Sequence, residues 1–360
     1  MIYIKGARFL PDSSSGHDMV LSLLEHPDLV SASHSFSAIP ERKFVVSEES
    51  IQAKCVYVFQ REYATVDPAL VEVFGTDEAT TCVGMVVRNC RTGMTSVAHL
   101  DSPNVVDIGL FQMMSVSDSD NDDIVLDVHI VGAFEDSAPQ LTYSVLFEQE
   151  NPMEGYSFPL CMKIVENLAE SVFKFEIKHF QVLKHNTRRD SKGNPYPIFH
   201  GLAVETSSGS VIPASFDSST RCPDDIIRRI RLSASFEDPR QTGRLLDTYE
   251  TQTDRFVITP FSWSKRLVHY ASMMRHRSDI EILLTTSTSP SAEGPDFVDN
   301  QRRIWEYLIR HPDWRQVFHS KLARVFERVG NMSWVMTTDE GSVVPLRPKI
   351  PKQKIGKNTY

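Results

Sequence analysis

The chain has 360 residues, 41% of them apolar and 24% charged, which is enough apolar material for a substantial core. With 47 acidic against 38 basic side chains the net charge is −9, so no general attraction to nucleic acid or acidic lipid is expected, and neither is an expected partner. The first ten residues are too short and mixed for a secretory leader, and no apolar run reaches membrane-spanning length.

Residues 11–50 are Ser-rich and carry one helix candidate, Met19 to Leu24. Cys55 to Gln60 reads as the first strand of the regular part. Cys82 to Asn89 and Met94 to Leu100 are two strand-like runs separated by Cys90-Arg-Thr-Gly93, which predicts a hairpin with Gly in its turn. Asn104 to Val116 follows Pro103 with apolar residues at helical spacing. Asp123 to Phe134 alternates as a half-buried strand, Phe158 to Val172 returns to the helical period, and Phe173 to Leu183 alternates again.

A second hairpin is predicted from Ile198 to Thr206 and Val211 to Phe216, around the turn Ser207-Ser-Gly-Ser210. Asp224 to Leu232 reads as a helix with acids first and bases last, which suits the macrodipole. Strand candidates Leu245 to Glu250 and Arg255 to Thr259 come next. Helices are predicted over Phe297 to Arg310 and Trp314 to Val329, then a strand from Met332 to Thr338. Elements of one type come in runs, which predicts an α+β fold with largely antiparallel sheets. The expected division is an N-terminal segment over 1–50, one domain over 51–345, and a basic, disordered tail over 346–360 with five cations between Arg347 and Lys357.

Two motifs mislead. Asp118, Asp120 and Asp122 have the alternate spacing of a calcium loop, but Asp123 stands where that loop needs Gly and His129 where it needs Glu. Asn331-Met332-Ser333 matches a glycosylation acceptor without other support. Cys55, Cys82, Cys90, Cys161 and Cys222 form no CxxC pair and no metal-like spacing with histidine. Such an odd, scattered set reads as reduced thiols, one of them reactive, in a cytoplasmic protein, with the nucleus as a further location. No metal or organic cofactor is expected.

One pair of residues points to chemistry. In a hairpin turning at 90–93, facing residues have numbers summing to about 183, and Cys82 with His99 sums to 181. The two therefore fall nearly opposite, within thiol–imidazole reach. An adjacent imidazole lets a cysteine act as thiolate, the form that attacks a carbonyl carbon. On composition alone, packing is the commoner reason for such a pair.

Glu78-Ala-Thr-Thr-Cys82 with His99-Leu-Asp101 resembles the core of the protein N-terminal asparagine amidohydrolase family. Further segments match in order: Tyr57-Val-Phe-Gln-Arg-Glu62, His129-Ile-Val-Gly-Ala-Phe134, His200-Gly-Leu-Ala-Val204 with Pro213-Ala-Ser-Phe216, Ile258-Thr-Pro-Phe-Ser-Trp263, and Ser287-Thr-Ser-Pro290 with Ala292-Glu293. The likeness spans roughly residues 50 to 310, with Leu100 and Ser102 as departures. It implies an α-β-β sandwich similar to cysteine hydrolases that include the cytotoxic necrotizing factor toxins and chemoreceptor deamidases. It implies a Cys, His, Ser triad: Cys82 as nucleophile, His99 as general base and acid, and Ser289, with Ser287 and Ser262 as rivals, orienting the imidazole. The implied reaction converts an N-terminal Asn to Asp, with release of ammonia, in proteins entering the N-degron pathway. Backbone N–H groups near Thr81 or Cys82 would hold the oxyanion. A carboxylate must meet the substrate's α-ammonium, from Glu78, Asp101, Glu293 or Asp77, with Asp101 and Glu78 ranked first. The expected partners are proteins or peptides beginning with Asn, and the expected state is a monomer. A deamidase of glutamine or internal amides, and a non-catalytic peptide-binding adaptor, are the competing readings.

Overall fold

A computed structural model describes residues 1–45 apart from 12 and 14, and residues 53–116, 124–136, 155–331 and 333–337. The acidic run at 118–122, the 346–360 tail and Met332 lie outside them. The central element is an eight-stranded sheet in the order Leu246–Asp247, Glu62–Val66, Thr95–Leu100, Val83–Asn89, Val125–Phe134, Lys174–Leu183, Ile2–Ile4 and Ala7–Arg8. A five-stranded sheet runs Arg42–Phe44, Ser210–Phe216, Leu202–Glu205, Val73–Thr76 and Cys55–Tyr57, and a four-stranded one is built on Arg255–Ile258 and Arg324–Arg328.

Strand alternation divides the core. Val83, Met85, Val87, Ala98 and Leu100 point to one face, where they pack with the helices Gly16–Glu25, Val106–Met113 and Ser157–Glu170. Val86 and Val97 point to the other, against Phe74, Leu202 and Val204 of the five-stranded sheet and Ile227, Ile230, Ile304 and Leu308 of helices Asp225–Ser235 and Phe297–Arg310. The order of layers is thus helices, large sheet, second sheet. Continuing the same alternation, Gly84 and His99 face the second sheet. That face holds the site.

The fold is α+β, and ten of the fifteen strand pairings among the described residues are antiparallel. Both predicted hairpins form. Several expectations are corrected. Trp314 to Val329 is not a helix: two single 3-10 turns, Trp314–Gln316 and His319–Lys321, lead into the strand Arg324–Arg328. Ser320 and Lys321 at φ 54° and 58° break the helical path, and Phe326 gains more by pairing between Phe256 and Met336 than a frayed amphipathic helix could. Leu245 to Glu250 is two short strands, Leu246–Asp247 in the large sheet and Tyr249–Glu250 in the four-stranded one. The weakly patterned N-terminal stretch carries Ile2 and Ile4 in the central sheet beside Phe175, and a second helix, Pro27–Ser37. No described helix is long and apolar enough to cross a membrane.

Candidate functional site

The hairpin brings the two reactive side chains together by register. Gly84 pairs with His99 and Val83 with Leu100, the predicted sum of 183, so Cys82, just before the strand, lies diagonal to His99 on the same face. Gly84 keeps the space between the sheets narrow. A Cβ there would stand 3.2 Å from both Thr76 Cγ2 and Leu202 Cδ2 of the second sheet. Because Thr76 approaches so closely, its Oγ1 lies 2.8 Å from His99 Nδ1. The other ring nitrogen, Nε2, is buried without a hydrogen-bond partner among the described residues. Buried polar atoms are nearly always paired, so an orphan beside a thiol marks where a ligand's or thiol's proton belongs.

The strand opposite Cys82 is bent to receive it. Gln181 pairs with Val131 and Leu183 with Phe134, which leaves one extra residue on the Val125–Phe134 strand, a bulge at Gly132 and Ala133. Gly132 has φ +125°, and Ala133 donates its N–H to the Cys82 carbonyl at 2.7 Å. Asn186 holds the bulge from behind, donating to the Gly132 and Phe199 carbonyls at 3.1 and 3.0 Å. Bulges re-aim strands in this way beside active sites. Among the described residues the Thr81 and Cys82 amides have no backbone acceptor in the loops around them, which makes them the oxyanion-binding candidates.

Electrostatics favour a neutral pair. Burial, then the negative charges of Asp101 and Glu293, push the Cys82 thiol well above its ordinary range, with Arg61 opposing. Burial lowers His99 to about 4, only partly offset by Asp101. Both shifts oppose the thiolate–imidazolium pair expected from adjacency, because both charged forms would lose their hydration.

The acids near the thiol differ in their partners. Asp101 is buried and meets Arg61 Nε at 3.0 and 3.2 Å, with Ser102 and Gln60 donating as well. Glu78, at φ 63°, pairs with Arg221 at 2.6 Å and Arg229 at 3.0 Å. Asp77 accepts from Tyr57 Oη at 2.7 Å, the Phe216 amide at 2.6 Å and Arg221 at 3.1 Å, while burial raises it to about 6. Glu293 accepts from Ser287 Oγ and meets no cation among the described residues; burial lifts it to about 7.

The Ser287–Glu293 loop is tied to the nucleophile's own loop. Thr288 Oγ1 lies 2.8 Å from Thr81 Oγ1, and Ser289 Oγ donates to Thr80 Oγ1 at 2.8 Å. Ser289 thus bonds the loop that precedes the nucleophile rather than the imidazole, and the hydroxyl in contact with His99 is Thr76's. Ser287 is committed to Glu293, and Ser262 is exposed. Cys55 and Cys161 lie in the core, and Cys90 is on the surface with its Sγ 2.9 Å from Asp127. Sequence reasoning missed Thr76, Arg61, Thr80, Thr288 and Arg221 as members of the site. Arg61 and Thr80 stood inside matched segments, whereas nothing local distinguishes Thr76 or Arg221.

Comparison with known proteins identifies the family. The family model described as protein N-terminal asparagine amidohydrolase matches residues 45–336. A protein N-terminal asparagine amidohydrolase of Arabidopsis thaliana is 48% identical over 346 residues, covering 93% of this chain and 99% of that protein. The Homo sapiens and Mus musculus proteins of the same name are 27% and 26% identical over 317 residues, each match covering 84% of this chain and 92% of the relative. Cys82, His99 and the loops around them all lie within the matched span, and the chain belongs to the protein N-terminal asparagine amidohydrolase family.

Proposed function

We propose that the chain hydrolyses the side-chain amide of asparagine at the N-terminus of proteins and peptides, giving aspartate and ammonia. The observation that carries the mechanism is the buried Cys82 diagonal to His99, whose Nε2 has no hydrogen-bond partner among the described residues while Thr76 occupies Nδ1. Cys82 Sγ attacks the carboxamide carbon as its proton passes to His99 Nε2. The oxyanion that forms is met by the Thr81 and Cys82 amides. His99 then returns the proton to the departing nitrogen, ammonia leaves, and a thioester remains. Water, losing a proton to Nε2, attacks the thioester; the C–S bond breaks, and the thiol recovers its proton as aspartate departs.

A resting neutral pair suits this cycle. The imidazole must be unprotonated when the thiol gives up its proton, and a depressed pKa keeps it so at neutral pH. Thr76 fixes the ring through Nδ1 and leaves Nε2 available for the thiol's proton, and Ser289 braces Thr80 in the loop before the nucleophile. The layer order of helices, large sheet and second sheet, with the nucleophile at a strand start between the sheets, supports kinship with the deamidase type of cysteine hydrolase. In this reading the product feeds N-degron-dependent, ubiquitin-linked degradation by a monomeric enzyme of the cytoplasm and nucleus, without cofactor, nucleic acid or membrane.

The test is mass spectrometry of an Asn-initiated peptide incubated with the protein, beside Gln-initiated and internal-Asn peptides. A mass gain of about 1 Da confined to the first peptide, and abolished in Cys82→Ala with native circular dichroism, is expected. Turnover of the Gln-initiated or internal peptide at an equal rate would overturn the substrate, and full activity of Cys82→Ala would overturn the nucleophile.

A further inference from the structure

Deamidation at a chain terminus alone requires something that reads the free α-ammonium, and the ion pairs around Cys82 single out one acid for it. Arg61 neutralises Asp101; Arg221 and Arg229 neutralise Glu78; Arg221 also serves Asp77 and Asp296. Asp296 is half-exposed, so water screens what Arg221 leaves over. Glu293 is different. Its charge is felt at Cys82, it is largely enclosed, and among the described residues its one hydrogen-bond partner is the neutral Ser287 hydroxyl.

A carboxylate held this way without a cation costs stability, which is tolerated where a ligand supplies the missing charge. The position fits as well. Glu293 ends the loop whose Thr288 and Ser289 bond Thr81 and Thr80, the two residues preceding the nucleophile. In an Asn residue the α-nitrogen is three bonds from the side-chain carbonyl carbon, so its receptor must belong to the wall that touches Cys82.

We propose that Glu293 receives the α-ammonium of the substrate's first residue and is thereby the group that confines hydrolysis to N-terminal asparagine. This deepens the functional reading above and rests on it. It displaces the two acids that local sequence favours: Asp101 and Glu78 already hold arginines, and an ammonium would have to compete with a guanidinium for each. The groups facing Glu293 agree, since Glu78, Asp296 and the Cys82 thiol add no cation, and the first two add to what burial already does in raising its carboxyl.

The experiment compares an Asn-initiated peptide with its N-acetylated form and with an analogue whose α-amino group is replaced by hydrogen. The unmutated protein, Glu293→Gln and Ser287→Ala are each assayed for kcat and KM. Glu293→Gln is expected to lose roughly 30- to several-thousand-fold in kcat/KM on the free amine, the usual range for truncating one partner of a buried charge pair. It should change the two blocked substrates by less than about 3-fold (about 0.6 kcal/mol). Ser287→Ala removes the brace but keeps the charge, so it should lower all three substrates by a common factor and preserve their ratio. An equal loss by Glu293→Gln on free and blocked substrates would show that Glu293 only shapes the loop, and would overturn the inference while leaving the reaction standing. Failure of the unmutated protein to prefer the free amine would instead overturn the N-terminal reading itself.

Discussion

Gly132→Ala tests whether the backbone of the nucleophile is held by the bulge. At φ +125° an L side chain is strained, at a cost of about 1–3 kcal/mol. The added Cβ would also stand 2.6 Å from the Cys82 carbonyl oxygen and 3.3 Å from Val83 Cα, and both are backbone atoms that cannot rotate aside. Relief requires the Cys82 peptide to move, which breaks the 2.7 Å bond from Ala133, worth about 0.5–1.5 kcal/mol. The sum is about 1.5–4.5 kcal/mol, which for a chain of 360 residues is a fall in Tm of roughly 2–6 °C. A displacement of the thiol approaching 1 Å should cost about 100-fold in kcat/KM. Gly193→Ala is the control: φ is +84°, and no atom lies within 4 Å of the added Cβ, so it carries strain without the clash. Thermal melts and steady-state deamidation of both variants decide the matter. A Gly132→Ala protein whose activity matches that of Gly193→Ala would refute the role of the bulge, whatever its Tm.

Two further outcomes follow from the site's hydrogen bonds and charges. Thr76→Val, which keeps shape and removes the hydroxyl on His99 Nδ1, should lower kcat by about 3- to 10-fold with little change in KM, and Thr76→Ser should restore it. On raising pH from 7 to 9, iodoacetamide should modify exposed Cys90 before Cys82, because burial and two acids hold the Cys82 thiol above its ordinary range and its thiolate appears late. Peptide mapping checks the order, and faster modification of Cys82 at pH 6 would establish a thiolate–imidazolium pair instead.

What could be read in advance was what depended on neighbours in sequence. The Cys82–His99 juxtaposition followed from a four-residue turn and the two-residue strand period, and the register came out at 183 as expected. Thr76 was invisible because it reaches His99 from another sheet, and only the missing side chain of Gly84 lets it do so. The ranking of acids was illegible for a similar reason. Asp101 stands beside the motif and Glu293 nearly two hundred residues away, yet what separates them is which one Arg61 reaches. Short elements escaped because two or three residues carry no period: Ile2–Ile4 is a strand only because Phe175 and Glu176 lie alongside. The Trp314 to Val329 segment misled because the pattern there fits an amphipathic helix, while the outcome was decided by partners at Arg255–Ile258 and Trp334–Thr337.

The charges around the thiol work against catalysis until substrate arrives. Asp101 and Glu293 both raise the Cys82 thiol, and Arg61 offsets them only in part. An α-ammonium seated on Glu293 cancels one of the two opposing charges and adds a cation beside the thiol. Both changes favour the thiolate. Recognition of the terminus and activation of the nucleophile then become one electrostatic event, so a substrate without the free amine forfeits reactivity as well as affinity. An enzyme arranged in this way keeps its thiol protonated, and slow toward stray electrophiles, in the absence of the one cation it is shaped to accept.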